Sequence, residues 1–302
     1  MKKLSVVISA YNEEHRIQRC LESVKFADEI ILVDNTSSDK TAERAKQCGA
    51  TVFVRPNNPM LNANKNFGFS KVSGEWILSL DADETVSPEL RREIETLLSQ
   101  DTLAETGFEI PRKNLIFGKW ITHTGWYPDY QLRLFKKGKG AFPARHVHEK
   151  LVVEGKIGKC SGWIEHDNYA SISQFIEKLN RYTDNEAAVR ISDGASFTTT
   201  DLINRPIDEF YNRYIREKGY RDGLHGFILS VLMAFYYFVV YLKLWEKGAF
   251  AVESEPPTFL DQLRAKLKFD HRYWLLTKKH DESTNAAYKF FIRIVRKLHK
   301  QP

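Results

Sequence analysis

The sequence predicts an α/β protein with a mostly parallel central sheet flanked by helices, followed by a helical C-terminal region. Three observations predict it. The first hundred residues alternate β-rich runs with helix-period segments, residues 107–164 change to short aromatic and Gly-rich β-like runs, and everything after His166 has helical texture. With 302 residues, 42% of them hydrophobic, the chain has enough apolar surface for a sizeable core, which excludes disorder as its overall state.

Residues 4–9 form an apolar strand pattern, and 13–26 a helix with Ile17, Leu21 and Val24 on one face. A second β-rich run, 29–33, ends in the polar cluster 34–39. A helix over 41–48 with Gly49 as its C-cap precedes strand 51–54. A helix at 62–71 leads into strand 76–80, and Ser87 with Pro88 opens the next helix with an N-cap and a proline in the first turn. Shorter β-like runs follow at 106–110, 130–135 and 151–153; helices are expected at 173–190, 206–218, 224–245 and 286–299, with 253–257 as a linker. This divides the chain into a sheet-bearing body at 1–170, a helical extension at 171–252 and a basic tail at 253–302.

The net charge of +6 is unevenly placed: residues 261–302 hold eleven basic and four acidic side chains, leaving the rest close to neutral. A nucleic-acid binder coated with positive charge is thereby excluded. Cys20, Cys48 and Cys160 are far apart with no CxxC spacing, the usage of a reducing compartment. The apolar start stops at Glu13, Glu14 and Arg16, too short for an export signal and right for a buried strand.

Chemistry belongs at the carboxyl ends of parallel strands. Strand one ends in Ser9, Tyr11 and Glu13, strand two in Asp34, and strand 76–80 runs directly into Asp81 and Asp83. Two aspartates at i and i+2 after a buried strand suit a hard divalent cation, or else they cap the following helix. A cation there would neutralise a diphosphate, for which no GxxxxGK[ST] or GxGxxG loop is present.

The segments 6–13 (VVISAYNE), 31–34 (ILVD) followed by Ser38, Asp39 and Thr41, then Lys65 and Asn66, and 77–84 (ILSLDADE) resemble the glycosyltransferase family 2 pattern. Segment 126–135 (WYPDYQLRLF), His148, Glu149 and the stretch 219–245 are similar to bacterial lipopolysaccharide core β-1,4-glucosyltransferases. The resemblance implies a Rossmann-like GT-A fold and inverting, metal-dependent transfer from a nucleotide diphosphate-sugar, UDP-glucose among the candidates, to a lipid-linked or lipopolysaccharide saccharide such as inner-core heptose. It implies that Ser9, Tyr11 and Glu13 contact the nucleotide, that Asp34 reads base or ribose, and that Lys65 lies near base or diphosphate. Asp81 faces ribose and metal, and Asp83 ligates Mg²⁺ or Mn²⁺. An inverting enzyme needs a base for the acceptor hydroxyl. The Glu-Asp pair common in relatives is missing, which leaves Glu149 as the inferred base, Asp129 as the competing one and His166 as the inferred third metal ligand. Arg133 and Arg145 suit a phosphate or a strand's polar face, and His123, His146 and His148 suit loop or core hydrogen bonding.

The uncharged run 226–242 stands at the lower edge of spanning length and is dense in aromatics, with basic residues on both sides. The last helix sets Tyr288, Phe291, Ile292, Val295 and Leu298 on one stripe and Lys289, Arg293, Arg296 and Lys300 on another. Together they predict contact with an anionic membrane surface, placing the protein in the cytoplasm on the inner face of the plasma membrane. A buried core helix and a true span are the other readings of 226–242. The competing functions are a sugar nucleotidyltransferase, which lacks its Gly-rich basic loop here, and a non-enzymatic membrane-surface binding protein.

Overall fold

The computed structural model describes residues 2–57, 61–143, 150–251 and 259–298, so Arg145, His146, His148, Glu149 and the expected linker at 253–257 lie outside the described residues. The chain divides into two compact units, Met1–Trp120 with Tyr127–Asn168, and Ile121–Trp126 with Tyr169–Pro302.

The first unit opens with β1 (Leu4–Ala10), α1 (Ile17–Ser23), β2 (Glu29–Asp34), α2 (Thr41–Gln47), β3 (Thr51–Val54), α3 (Leu61–Lys71), β4 (Trp76–Asp81), β5 (Glu84–Val86) and α4 (Pro88–Ser99). It continues with β6 (Gly107–Ile116), β7 (Lys119–Trp120), β8 (Asp129–Lys136), β9 (Gly140–Ala141), β10 (Val152–Val153), β11 (Ile157–Lys159) and β12 (Ile164–Tyr169). The strand order is β3-β2-β1-β4-β8-β6-β12-β5. β3, β2, β1 and β4 run parallel, whereas β8 is antiparallel to both β4 and β6, and β12 is antiparallel to β5.

Strands covered on both faces read as unbroken apolar runs, and β1 is one. Its Leu4, Val6, Ile8 and Ala10 pack with Ile17, Leu21, Leu32, Leu78 and Leu80 on one face, while Val7 packs with Ile31, Val33, Phe69, Ile77 and Phe135 on the other. Helix α3 lies close on that second face. A Cβ at Gly68 would stand 2.4 Å from Val7 Cγ1, so only glycine permits the approach. Gly49 closes α2 at φ +86°, and the Ser87 side chain caps α4 by accepting from Leu90 N at 3.1 Å.

The second unit holds α5 (Ile172–Ser192), α6 (Thr199–Tyr211), a π-helical turn at Asn212–Arg216, a 3-10 turn at Gly219–Asp222, α7 (Leu224–Lys247), α8 (Phe259–Glu282) and α9 (Ala286–Leu298). The helix expected to open at Pro206 opens earlier. The Thr198 side chain caps it by accepting from Asp201 N at 3.0 Å, and Pro206 sits inside α6 at the loss of one backbone donor. Helix α8 carries charges among its leucines and was not foreseen; Leu260, Leu267 and Leu275 on it remain exposed. On α9, Ile292 is buried, and the exposed apolar surface is wider than the expected stripe, taking in Phe290 and Ile294 beside Tyr288 and Phe291. The three cysteines are free thiols.

Asp222 fastens segment 121–126 into this unit. Its Oδ1 accepts from Thr122 N (3.1 Å) and Thr122 Oγ1 (2.8 Å), and its Oδ2 from His123 N (3.0 Å) and Thr124 Oγ1 (2.7 Å). Burial raises the Asp222 pKa, and these donors outweigh it, holding the carboxyl below its ordinary value. Because the folded pKa is the lower one, the contribution is complete above about pH 4 and disappears as pH falls through the folded value. Asp222→Ala strands two backbone donors and is expected to cost roughly 3 kcal/mol. Melting curves of the variant should be lower at pH 7, with the gap narrowing as pH falls through the folded value; equal curves at pH 7 would refute the staple.

Candidate active site

Parallel registry sets the strand ends side by side. Ala10 stands opposite Asp34 on β2, and Ser9 opposite Asp81 on β4. The loops beyond them are stitched together: Asn12 N donates to Ser37 Oγ (2.9 Å), Glu13 N to Thr41 Oγ1 (2.8 Å) and Glu14 N to Asp39 Oδ2 (3.0 Å). The polar cluster after β2 thus shapes the cleft as well as lining it. Tyr11 is exposed at 47%, its ring free to meet a ligand, while the Glu13 carboxylate pairs with Arg16 at 3.1 Å.

Ser9 accepts from Asn35 Nδ2 at 3.1 Å, and Asn35 Oδ1 in turn accepts from Asn64 Nδ2 at 2.6 Å. Beside this chain Asp34 is 2% exposed, with Oδ2 accepting from Ser37 N at 3.1 Å. Its Oδ1 is buried without a hydrogen-bond partner among the described residues. A buried carboxylate oxygen of this kind costs about 1–3 kcal/mol or more until a donor reaches it. An N–H or O–H of a bound nucleotide is such a donor.

Asp81 sits among cations. Lys65 Nζ on α3 donates to its Oδ1 at 2.5 Å, and Arg133 Nη2 on β8 to its Oδ2 at 2.8 Å. Burial raises the Asp81 pKa, but Lys65 and Arg133 outweigh it and hold the carboxyl well below the usual range. Arg133, 6% exposed, also reaches the fully buried Glu84 at 2.6 Å, so it is an internal counter-ion rather than a free phosphate ligand. Arg112 Nη1 meets the same Glu84 oxygen at 3.2 Å, and Glu84 Oε2 accepts from Asp81 N at 2.9 Å. Glu84, Arg112 and Arg133 form the part of the site that sequence reasoning missed or left open.

Asp83 and His166 come together. Strand β12 pairs with β5 so that His166 lies opposite Glu84, and His166 Nε2 stands 3.5 Å from Asp83 Oδ2. The imidazole is oriented from behind. Asn114 Nδ2 donates to Asp129 Oδ2 (3.2 Å), which turns Asn114 Oδ1 toward His166 Nδ1 at 2.7 Å. With Nδ1 as the donor, the neutral ring turns its Nε2 lone pair to the Asp83 side, the arrangement of a metal-ligating histidine. Among the described residues no three His, Cys, Asp or Glu side chains converge as one metal cluster. Asp81 therefore stands in its cationic pocket rather than in a group with Asp83 and His166. Two protein ligands fit Mg²⁺ or Mn²⁺, which takes one or two carboxylates and completes its shell with substrate phosphates and water.

Asp129 is enclosed by donors. Arg112 reaches its Oδ2 from Nε (2.9 Å) and Nη2 (2.6 Å) as a cross-strand pair, and Gln131 reaches its Oδ1 at 2.7 Å. Burial raises its pKa, and Arg112, Gln131 and Asn114 more than reverse this, leaving it below the ordinary carboxylate value. His123 lies in the second unit, its Nδ1 2.8 Å from Thr122 Oγ1, a loop hydrogen bond as expected.

The strand-end residues thus combine a buried, unpartnered carboxylate oxygen on Asp34 with the acid-imidazole pair of Asp83 and His166, and sequence comparison gives the family. Residues 5–153 match the Glycosyl transferase family 2 model. The chain is 32% identical over 259 residues to an uncharacterized glycosyltransferase of Rickettsia typhi, covering 82% of this chain and 88% of that one. It is 29% identical over 253 residues to the lipopolysaccharide core biosynthesis glycosyltransferase LpsC of Rhizobium meliloti, covering 82% and 93%. Among solved structures, S. aureus TarS aligns with a TM-score of 0.40 at 17% identity, over 60% of this chain and 39% of that one. The chain belongs to glycosyltransferase family 2 and is a glycosyltransferase, and its α/β architecture bears out the GT-A expectation.

Proposed function

We propose that the protein transfers a sugar, glucose being the first candidate, from a UDP-sugar to a saccharide of the lipopolysaccharide core or of a lipid-linked precursor, with inversion at the anomeric carbon and a divalent cation bound. The observation that carries the reading is the conjunction at the strand ends: a buried Asp34 oxygen awaiting a donor, beside Asp83 and a tautomer-fixed His166. The relative from Rhizobium meliloti supports the envelope acceptor.

In this reading Asp34 and Ser9 hold the nucleoside, and Tyr11 covers it. Lys65 and Arg133 keep Asp81 ionised for a ribose hydroxyl. Asp83 and His166 would hold Mg²⁺ or Mn²⁺, whose positive charge would offset that of a departing diphosphate. The acceptor proton goes to Glu149, whose placement is outside the described residues. Asp129, with both carboxylate oxygens accepting N–H groups and a lowered pKa, makes a poor base. A thermal-shift panel of nucleotide sugars with Mn²⁺ tests the donor. Stabilisation by UDP-sugars and not by ADP- or GDP-sugars is expected, and no response to any UDP-sugar would defeat the reading.

The acceptor implies a membrane, and α7 supports contact with one. Among the described residues it is the one helix long and apolar enough to cross a bilayer, with 28% of its most apolar window buried. Leu224, Phe227, Val231, Phe235 and Phe238 are exposed along it at three- and four-residue spacing, an uncharged stripe. Exposed Phe290 and Phe291 of α9 stand among Lys289, Arg293 and Arg296. The protein should co-sediment with anionic vesicles and release with salt; failure to sediment with them would remove the membrane from the account.

A further inference from the structure

The helical unit contains a cavity of about 560 Å³, within the range of small-molecule sites. One wall is a polar stripe from α6 into the π-helical turn, in which Arg205, the adjacent Asp208 and Glu209, Asn212 and Arg216 recur at three- to four-residue intervals. A surface helix ordinarily turns such a stripe to open solvent. This one borders a half-open hollow whose other sides are Arg190 of α5 and the rings of Tyr237 and Trp274. The π-helical geometry that carries Asn212 and Arg216 is rare and concentrates at functional sites.

Most of the charge is balanced in place. Arg190 donates to Glu186 at 2.6 Å, Arg205 to Asp201 at 3.1 Å, Arg213 to Glu209 at 2.5 Å and Lys266 to Asp208 at 2.6 Å. Lys266 is shared with Asp270 at 2.9 Å, so the cluster as a whole is balanced, and within it the Arg216 guanidinium, exposed at the cavity, makes no ion pair or hydrogen bond with another described residue. A guanidinium fork matches a carboxylate or phosphate. The aromatic walls offer faces for the C–H side of a pyranose, and Trp274 is held in place by stacking on Tyr211, centroids 6.3 Å apart and planes 6° apart. Paired carboxylates and Asn212 offer acceptors and donors for hydroxyls.

We propose that this cavity binds an acidic sugar, a pyranose bearing a carboxylate or phosphate, as an anchoring point for a saccharide acceptor. The anchoring role rests on the proposed transfer to a saccharide, and the binding itself does not. Isothermal titration of the full chain, with Mn²⁺ and saturating UDP present, tests it with glucuronate, glucose 6-phosphate, glucose and inorganic phosphate. One-site binding of glucuronate or glucose 6-phosphate is expected, the pair telling carboxylate from phosphate, with glucose and inorganic phosphate at least tenfold weaker. Arg216→Gln, which breaks no ion pair, and Trp274→Leu should each weaken that binding at least tenfold. Absence of binding by both acidic sugars, indifference to Arg216→Gln, or inorganic phosphate binding as tightly as the sugar phosphate would each overturn the proposal. A separate titration with UDP distinguishes the two claims: UDP binding without acidic-sugar binding fails the cavity alone, and loss of UDP binding by wild type fails the donor reading.

Discussion

Asp83→Ala should abolish UDP-sugar turnover, with a loss on the order of 100-fold or more, while the melting temperature stays near that of wild type. The carboxylate faces His166 Nε2 across 3.5 Å, and its removal takes away one of the two side chains proposed to hold the cation. Strands β4 and β5 do not depend on it: β4 is held by parallel pairing to β1, and Asp83 contributes its backbone oxygen to Asp167 N at 3.0 Å whatever its side chain. Loss of Mn²⁺-dependent UDP binding should accompany the loss of turnover. Glu149→Gln should differ in kind, keeping UDP binding and losing transfer, since a base acts after the donor is seated. Full activity of Asp83→Ala would remove the cation from the mechanism, and full activity of Glu149→Gln would move the base to another carboxylate.

Arg133→Ala should act on stability instead. It uncovers Glu84, which is fully buried and holds Arg133 at 2.6 Å, and it frees Asp81 Oδ2. Truncating one partner of a buried pair commonly costs 3–5 kcal/mol, because the remaining charge has lost both water and counter-ion. Arg112 stays 3.2 Å from Glu84, so about 3 kcal/mol is expected. Chemical denaturation reads this directly. Arg133→Ala combined with Glu84→Gln should recover part of the loss, because the stranded charge is then gone; a double variant no more stable than the single would show that the cost lies in packing.

The strand ends were legible because parallel strands covered on both faces read as unbroken apolar runs, and the first polar residue after each run marks the cleft. Ser9, Asp34 and Asp81 follow from that alone. The Asp83–His166 pair is different. It depends on β12 meeting β5 across 83 residues of sequence, and only the family resemblance pointed to His166. The Glu84–Arg133–Arg112 cluster was not legible, since Arg133 alternates with leucines on β8 and looks like a strand's outer face. It becomes internal only because β8 lies antiparallel between β4 and β6. Helix α8 escaped because its apolar residues are diluted by charge, and the early start of α6 because a proline inside a helix reads as a beginning. The exposed stripe of α7, by contrast, was legible as an uncharged aromatic run, though which residues face outward required the neighbouring helices.

The central claim is a cation-dependent transfer to a saccharide. Its most direct measurement is the transfer of labelled sugar from UDP-sugars to purified lipopolysaccharide core acceptors, with Mn²⁺ and with EDTA. The account predicts that UDP and glycosylated acceptor form in equal amounts, that the new linkage is inverted relative to the donor, and that EDTA stops both. Transfer at the same rate in EDTA, or UDP release that never yields a glycosylated saccharide, would contradict it.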